Sequence, residues 1–444
     1  MRKYLSLVLL MILTSTTIQH AYSQDQDDLI DPDPQPKWFK GNLHTHSLWS
    51  DGNDYPEMIV DWYLRHGYQF LALSDHNILS QGQNWMSVRQ ANQRAGEDGF
   101  GRYRKRFGDT WVETRTVHGQ LQVRLKPLNE FRSLFERAGS FLLIQGEEIT
   151  DLFGSKPIHM NASNLLELIK PQGGKSVVDT MANNLAAVEA QSRKWGRPIL
   201  THLNHPNFGY AITAEELAMV TRERFFEIYN GHPDVHHQGD ETHASVERMW
   251  DIINTLRIGE MGVAPVNGLA TDDSHNYFGK RGSSPGRGWI MVRARHLTPE
   301  SIIKGIEARN FYASSGVILR HVEFSPQAKT VSVGIEPHGE ARYTTRFIGT
   351  LRGYDPTRKP VTDKDGMRLP VTQRYSEDVG RVLATVEGTD PQYRLKGNEL
   401  YVRAVVTSNE PPENPSFPDQ RAQAWTQPVG WEAQIDLNNA ASER

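Results

Sequence analysis

Two histidines one residue apart, His44 and His46, begin a series of short polar motifs that recurs along the chain. On an extended segment both would project to the same side, where two imidazoles can meet one ion. Asp51-Gly52 lies a few residues on, then Asp75-His76, Glu147-Glu148, His159, His202, His205, Asp272-Asp273 and His275. Each piece alone is weak, because HxH pairs occur by chance and Glu-Glu is ordinarily a solvated surface. Together they supply imidazole and carboxylate, a donor set that suits Zn²⁺, Mn²⁺ or Fe²⁺ better than Mg²⁺. The chain carries 17 His and no Cys, which excludes disulfides, thiolate zinc sites, iron–sulfur clusters and a Cys nucleophile.

The motifs share a position relative to apolar runs. Residues 40–43 read as the end of a strand, and His44-Thr45-His46 follows it. Asp75-His76 follows the run 70–73, Glu147-Glu148 follows a strand expected over 140–144, His202 and His205 follow 198–200, and Asp272-Asp273 follows Leu269-Ala270. In parallel α/β architectures the site is built from loops at the carboxyl ends of strands, and unrelated surface residues would not all collect there. Helical spacing lies between the runs. Residues 56–66 place apolar side chains on one face behind Pro56 and end at Gly67. Helices are also expected over 177–195 and 244–256, and a further strand over 225–229. This alternation predicts a parallel α/β barrel or sheet over residues 38–315.

Length and charge bound the rest. With 444 residues the chain has room for two or three domains, and 49 Lys+Arg against 53 Asp+Glu give a net charge of −4. Without a basic excess, nucleic acid is not an expected stable partner. Residues 1–23 combine a basic start, an apolar run too short to span a bilayer and a small-x-small ending at Ala21-Tyr22-Ser23, the pattern of a cleaved export signal. The expected mature chain begins at Gln24, carries no transmembrane segment and is exported, periplasmic or extracellular. Residues 24–37 are acidic and Pro-rich and read as a linker. Residues 316–444 hold β-prone runs at 331–335, 343–348, 382–386 and 400–406 between Gly, Pro and Asp, predicting a small β-sandwich-like module. One stretch breaks the barrel rhythm: residues 101–126 are rich in Arg and Lys around His118-Gly119, as in a basic insertion with a hairpin. Its two readings are a solvated surface and a lid, built on Arg115 and Arg124, that attracts an anionic substrate.

In order along the chain, Asn42-Leu43-His44-Thr45-His46-Ser47, Leu73-Ser74-Asp75-His76-Asn77, Gly146-Glu147-Glu148, Asn204-His205-Pro206 and Asp273-Ser274-His275 resemble the signature motifs of the PHP superfamily, named for polymerase-associated and histidinol-phosphatase domains. The resemblance spans residues 38–315. It implies a distorted (β/α)7 TIM-like barrel, followed here by the all-β module, and two or three divalent metal ions (Zn, Mn or Fe) at the carboxyl face. By that likeness His44, His46, Glu148 and Asp273 hold a first metal. Glu148 bridges to a second, completed by His159 and His205. His76 and His275 hold a third, with Asp51 standing where many members have a His. Glu148, Asp75 and Asp273 are the catalytic candidates, Asp75 as a ligand or as the partner that orients its neighbour. Asp272 is a weaker candidate than Asp273, and His202 reads as a structural neighbour. Lys280, Arg281 and Arg287 in a Gly/Ser-rich loop, with Asn230 and His232, are candidates for substrate binding, and Glu227 is a further pocket-lining candidate.

The implied chemistry is hydrolysis by a hydroxide shared between two metals, directed at a phosphomonoester or phosphodiester of an anionic small molecule or polymer. Residues 286–289, 306–316 and 424–428 resemble a secreted branch of the superfamily that includes carbaryl hydrolase, where the same centre would attack a carbamate or carboxylic ester. A third reading is a non-catalytic metal-containing binding module whose β-module recognises a glycan or surface polymer. The nearly complete ligand set argues against it.

Overall fold

The computed structural model describes residues 34–96, 98–277 and 282–435. The export signal, most of the expected linker, and Lys280 and Arg281 lie outside the described residues. Seven strands surround the motifs: β1 (Lys37–Asn42), β2 (Phe70–Leu73), β3 (Leu142–Phe153), β4 (Lys156–Ser163), β5 (Leu200–Leu203), β6 (Phe225–Asn230) and β7 (Asn267–Thr271). They neighbour one another in chain order. The pairs β1–β2, β2–β3, β5–β6 and β6–β7 are parallel, and β4 runs antiparallel to both its neighbours. Past the strand ends, Thr45 and Ser274 form a parallel bridge, and the His46 N–H donates to the Ser274 carbonyl at 3.0 Å. That bridge brings the β7 side back to the β1 side. The chain is thus a mixed α/β fold with a parallel-rich sheet.

Strict strand–helix alternation fails at one place. The strand expected over 140–144 continues to Phe153 and turns straight into β4, with Phe153 opposite Lys156 and no helix between. Gly154, at φ +61°, supplies the left-handed backbone that so tight a turn needs. Elsewhere the helices form where the apolar spacing put them. The helix Pro56–Arg65 starts on Pro56 and buries Ile59, Val60 and Tyr63, and Val177–Trp195 is capped by the Ser176 side chain and ends at left-handed Gly196. Between the strands, Phe39, Phe70, Ile144, Leu200, Phe225 and Leu269 form one buried cluster, each contributing roughly 1.5–3 kcal/mol.

The basic insertion is a small unit of its own. Strands Asn84–Ser87, Gln120–Leu125 and Thr114–Val117 pair in that order beside helices Val88–Ala95 and Gly99–Phe107. It packs on the segment after β1, where Leu48, Trp49 and Tyr55 share a core with Phe100, Tyr103 and Leu125.

The C-terminal strands do not stand apart. Strands β8 (Trp289–Ala294), β9 (Phe311–Ser314), β10 (Tyr343–Gly349), β11 (Arg381–Glu387), β12 (Arg403–Ser408) and β13 (Gln423–Thr426) extend the same sheet beyond β1, in the order β8-β9-β13-β12-β10-β11. A three-stranded sheet (Leu319–Ser325, Thr330–Ile335, Gln392–Arg394) packs on them through Val331, Val333 and Phe347. The expected boundary at 315/316 therefore cuts no gap: β9 would be an open edge, and β13 pairs it. Arg403 strengthens the junction, donating to both carboxylate oxygens of Asp251 on helix Val246–Thr255 at 2.8 and 2.7 Å. No described helix is long and apolar enough to cross a membrane.

Candidate metal centre

Glu148 lies at the middle of the His motifs. The strand β3 carries Glu147 and Glu148 inside it rather than after it, so the period of two sends them to opposite faces. Glu147 accepts from the Ile169 N–H at 2.7 Å, and burial pushes its carboxyl up to about 8. Glu148 faces the cluster. Its Oε2 lies 3.4 Å from His44 Nε2, 3.4 Å from His46 Nε2 and 2.8 Å from His76 Nδ1. Its Oε1 lies 3.0 Å from His159 Nδ1 and 3.4 Å from His205 Nε2. Antiparallel β4 is what brings His159 there, because it sits opposite Thr150 in the β3–β4 register.

Asp273 Oδ1 lies 3.1 Å from both His44 Nε2 and His46 Nε2. Asp51 reaches His76 Nε2 at 3.4 Å and His275 Nε2 at 3.3 Å, and the His46 ring stacks on His76 and His275 at 4.4 and 4.0 Å. Donor atoms about 2.1 Å from a shared ion and 90–110° apart lie about 3.0–3.4 Å from one another, and most of these separations fall there. His44 Nε2, Glu148 Oε2 and His159 Nδ1 are buried without a hydrogen-bond partner. Such atoms, in an imidazole and carboxylate set, fit divalent metal. Among the described residues, four groups have ligand atoms within 4.8 Å of one another: His46-Asp51-His76-His275, His44-His46-Asp273, His76-Glu148-His159 and His44-His202-Glu227.

Electrostatics follow from burial and neighbours. Burial alone would raise the Glu148 carboxyl, but His76, His44 and His159 outweigh it and hold it well below the usual carboxylate range. Asp273 behaves alike, with His44, His46 and His275 overcoming its burial. His46 is pulled down to about 3 by burial and by His275, which keeps it neutral, the form a metal ligand needs.

The backbone is bent to reach these positions. His205 and Asp273 adopt φ of +22° and +47°, sparsely populated for residues with a side chain. Glu227 holds much of this in place. Its Oε1 takes His44 Nδ1 and the Thr271 hydroxyl, both at 2.7 Å, and its Oε2 takes the His205 N–H at 2.8 Å and Asn230 Nδ2 at 2.7 Å. A carboxylate can only accept, so His44 carries its proton on Nδ1 and presents Nε2 to the cluster. His275 is set likewise, its Nδ1 donating to the Asp273 carbonyl at 2.8 Å.

Several sequence expectations change here. Asp75 reaches no member of the cluster directly: its Oδ1 accepts from the Ser47 N–H at 2.7 Å and the Ser50 hydroxyl at 2.6 Å, and its Oδ2 from the Ser47 hydroxyl at 2.8 Å. It ties down the loop after β1. Asp272 accepts from Tyr63 and from the N–H groups of Gly286, Arg287 and Gly288, holding the loop that precedes β8. Arg287, expected to meet substrate, is 4% exposed, and its Nη1 donates to the carbonyls of Gly231 and Gly282. Asn230 lies beneath the ligands, donating to Glu227 and to Asp273 Oδ2 at 3.1 Å. His232 stays beside the cluster, its ring 5.6 Å from His275. His202 sits inside β5, fully buried, with Nε2 3.5 Å from Glu227. Arg124 of the expected lid is buried and paired with Glu113 and Glu130 at 3.0 and 2.5 Å. The sequence signal for Glu227 was a single charge within the apolar run Phe225–Tyr229, and Asn204, which donates to Glu148 Oε1 at 2.8 Å, had only its place beside His205.

No family model matches the chain. Over 58 residues it is 34% identical to the DNA polymerase/3'-5' exonuclease PolX of Bacillus subtilis (strain 168); the match takes in 13% of this chain and spans a tenth of that protein. Among solved structures, a two-domain protein of Bacteroides vulgatus ATCC 8482, described as containing a predicted PHP-like metal-dependent phosphoesterase, aligns over 91% of this chain and 99% of its own at 15% identity and TM-score 0.38. A protein of Bifidobacterium adolescentis ATCC 15703 described as a metal-dependent phosphoesterase aligns over 56% of this chain and 94% of its own at 12% identity and TM-score 0.26.

Proposed function

We propose that the chain is a metal-dependent hydrolase of the PHP type that cleaves phosphoesters. The observation that carries this reading is Glu148, whose two oxygens serve two different sets of imidazoles and so suit a carboxylate shared between two ions. The ring of seven strands agrees with the distorted barrel that the sequence motifs imply. His44, His46, Glu148 and Asp273 would hold one ion, Glu148, His159 and His205 a second, and Asp51, His76 and His275 a third. Divalent ions in those positions supply Lewis-acid charge to a phosphoryl oxygen and make water acidic enough to lose a proton near neutral pH.

The chain's own groups prepare the site. Glu227 orients His44, Asp75 fastens the loop bearing His46, and Asn204 positions Glu148. His232 Nδ1 accepts from the Asp234 N–H at 3.2 Å, which leaves Nε2 protonated as a donor beside the cluster. The N-terminal 1–23 pattern supports a periplasmic or extracellular location for this enzyme.

Metal analysis of the purified protein, with parallel assays on p-nitrophenyl phosphate, its diester and 1-naphthyl esters, tests the reading. Two or three bound divalent ions and metal-dependent phosphoester turnover are expected. Turnover of the carbonyl esters alone would replace the phosphoester assignment by the carbamate or carboxylic-ester reading. No turnover of any ester by metal-loaded protein would remove the hydrolase.

A further inference from the structure

A cavity of about 910 Å³ lies away from the metal cluster. It opens between the helix Pro56–Arg65, the start of β8 and the C-terminal strands, and its volume falls in the range of small-molecule sites. Lys40 is on its wall, with Nζ 4.1 Å from the ring centroids of both Tyr68 and Trp289. Burial lowers this ammonium to about 8, while the Asp272 and Glu413 carboxylates attract it. Tyr68 and Trp289 are 2% and 7% exposed, and both Tyr68 Oη and Trp289 Nε1 lack a hydrogen-bond partner. Burying those two polar atoms without a partner is costly, so the arrangement is poorly explained by stability alone. Trp62 adds a further aromatic wall, and the exposed carboxylates Glu340 and Glu410, on the C-terminal part of the chain, also line the cavity.

We infer that this cavity is a saccharide-binding site, formed jointly by the seven-strand unit and the C-terminal strands and separate from the metal cluster. A sugar ring has apolar C–H faces for Trp62, acceptor oxygens for the Lys40 ammonium, and hydroxyl donors for Glu340 and Glu410. The Lys40 ammonium already occupies the aromatic cage, which turns away a cationic ligand, and the lining carboxylates turn away a multiply charged phosphate. The inference goes beyond the hydrolase reading and does not depend on it. It also gives the C-terminal strands work that covering a flank does not require.

The full chain is titrated with methyl glucoside, methyl galactoside, N-acetylglucosamine and glucuronate by saturation-transfer NMR and calorimetry. Native gels cast with neutral and uronate-containing polysaccharides test for a polymeric source. Saturable binding of at least one sugar, weakened at least ~10-fold by Lys40→Met and by Trp62→Ala and retained in His44→Ala, is the expected result. Retardation in a gel assigns a polymer, and binding of the small sugars alone assigns a free saccharide. Lys40→Met keeps the test valid if Trp62→Ala fails to fold, with circular dichroism checking each variant. The inference is overturned if no sugar or polymer binds, if both cavity variants bind as wild type does, or if His44→Ala loses binding. Loss of phosphoester turnover with sugar binding intact would instead count against the hydrolase reading alone.

Discussion

The metal cluster and the aromatic cavity share a wall, and they treat buried charge in opposite ways. Tyr277 lines the cavity while its hydroxyl donates to the carbonyls of His46 and Ser274 at 2.8 and 2.9 Å. On one side, imidazoles face Asp51, Glu148, Glu227 and Asp273, and several donor atoms point inward with no partner. On the other, the Lys40 ammonium rests on two aromatic rings. The first arrangement concentrates negative charge and attracts divalent cations, whereas the second repels them. Residues 272–277 and 282–289 can therefore border both without either ligand competing for the other's place.

The sharpest break of this contrast is removal of the cation trap. His44→Ala with His46→Ala should lose bound metal and cut turnover by at least ~10³-fold, the scale of losing preorganised stabilisation of developing charge. Plasma emission analysis beside the ester assay reads both, and unchanged metal content would refute the cluster. A smaller effect is expected from Glu227→Gln, which keeps the shape but alters the His44 proton arrangement. Metal affinity should weaken by ~10–100-fold and the visible spectrum of the cobalt-substituted protein should change, while a purely structural role would lower melting temperature and leave that spectrum alone.

Glu147 tests the other face of the same strand. Its folded value of about 8 lies above its ordinary 4.5, so its contribution to stability is fully present below about pH 4.5 and is lost as pH rises through 8. Glu147→Gln should therefore lose fewer degrees of melting temperature than wild type between pH 5 and 9; parallel curves would show that Glu147 is not neutral in the folded state. The smallest effect is expected on the insertion. Arg115 donates to Gln122 at 2.8 Å and stacks on Trp85 at 4.2 Å, so Arg115→Ala should change KM by less than ~2-fold at low salt. A large salt-sensitive rise would restore the lid.

Much of the site was legible because its residues announce themselves by type. Asp75-His76 after β2 and Asp272-Asp273 after β7 could be placed from apolar runs alone, since short buried strands leave little doubt about where polar loops begin. The helices at 56–65 and 177–195 were legible from Pro, Ser and Gly at their ends. The extent of β3 was not. Its sequence continues past the first apolar residues through Gly146, Glu147 and Glu148, and only pairing with β4 keeps that polar stretch extended. The partners of Asp75 and Arg287 were not legible either, because type and spacing say nothing about which group a buried polar side chain finds. The cavity left no trace in the pattern: Lys40, Tyr68 and Trp289 are far apart in sequence and each is unremarkable alone.

The amino-acid sequence by itself determined the donor inventory of this protein, imidazole and carboxylate without thiol, and the strand ends on which most of it sits. Those follow from residue chemistry and from local hydrophobic periodicity, both of which act over a few positions. Only the tertiary structure decided that Glu147 and Glu148 take opposite faces of β3, that Glu227 orients His44, and that the C-terminal strands close a cavity on Lys40. Each of these depends on groups brought together from distant parts of the chain, and it is burial of the whole sheet, not any local preference, that holds them there.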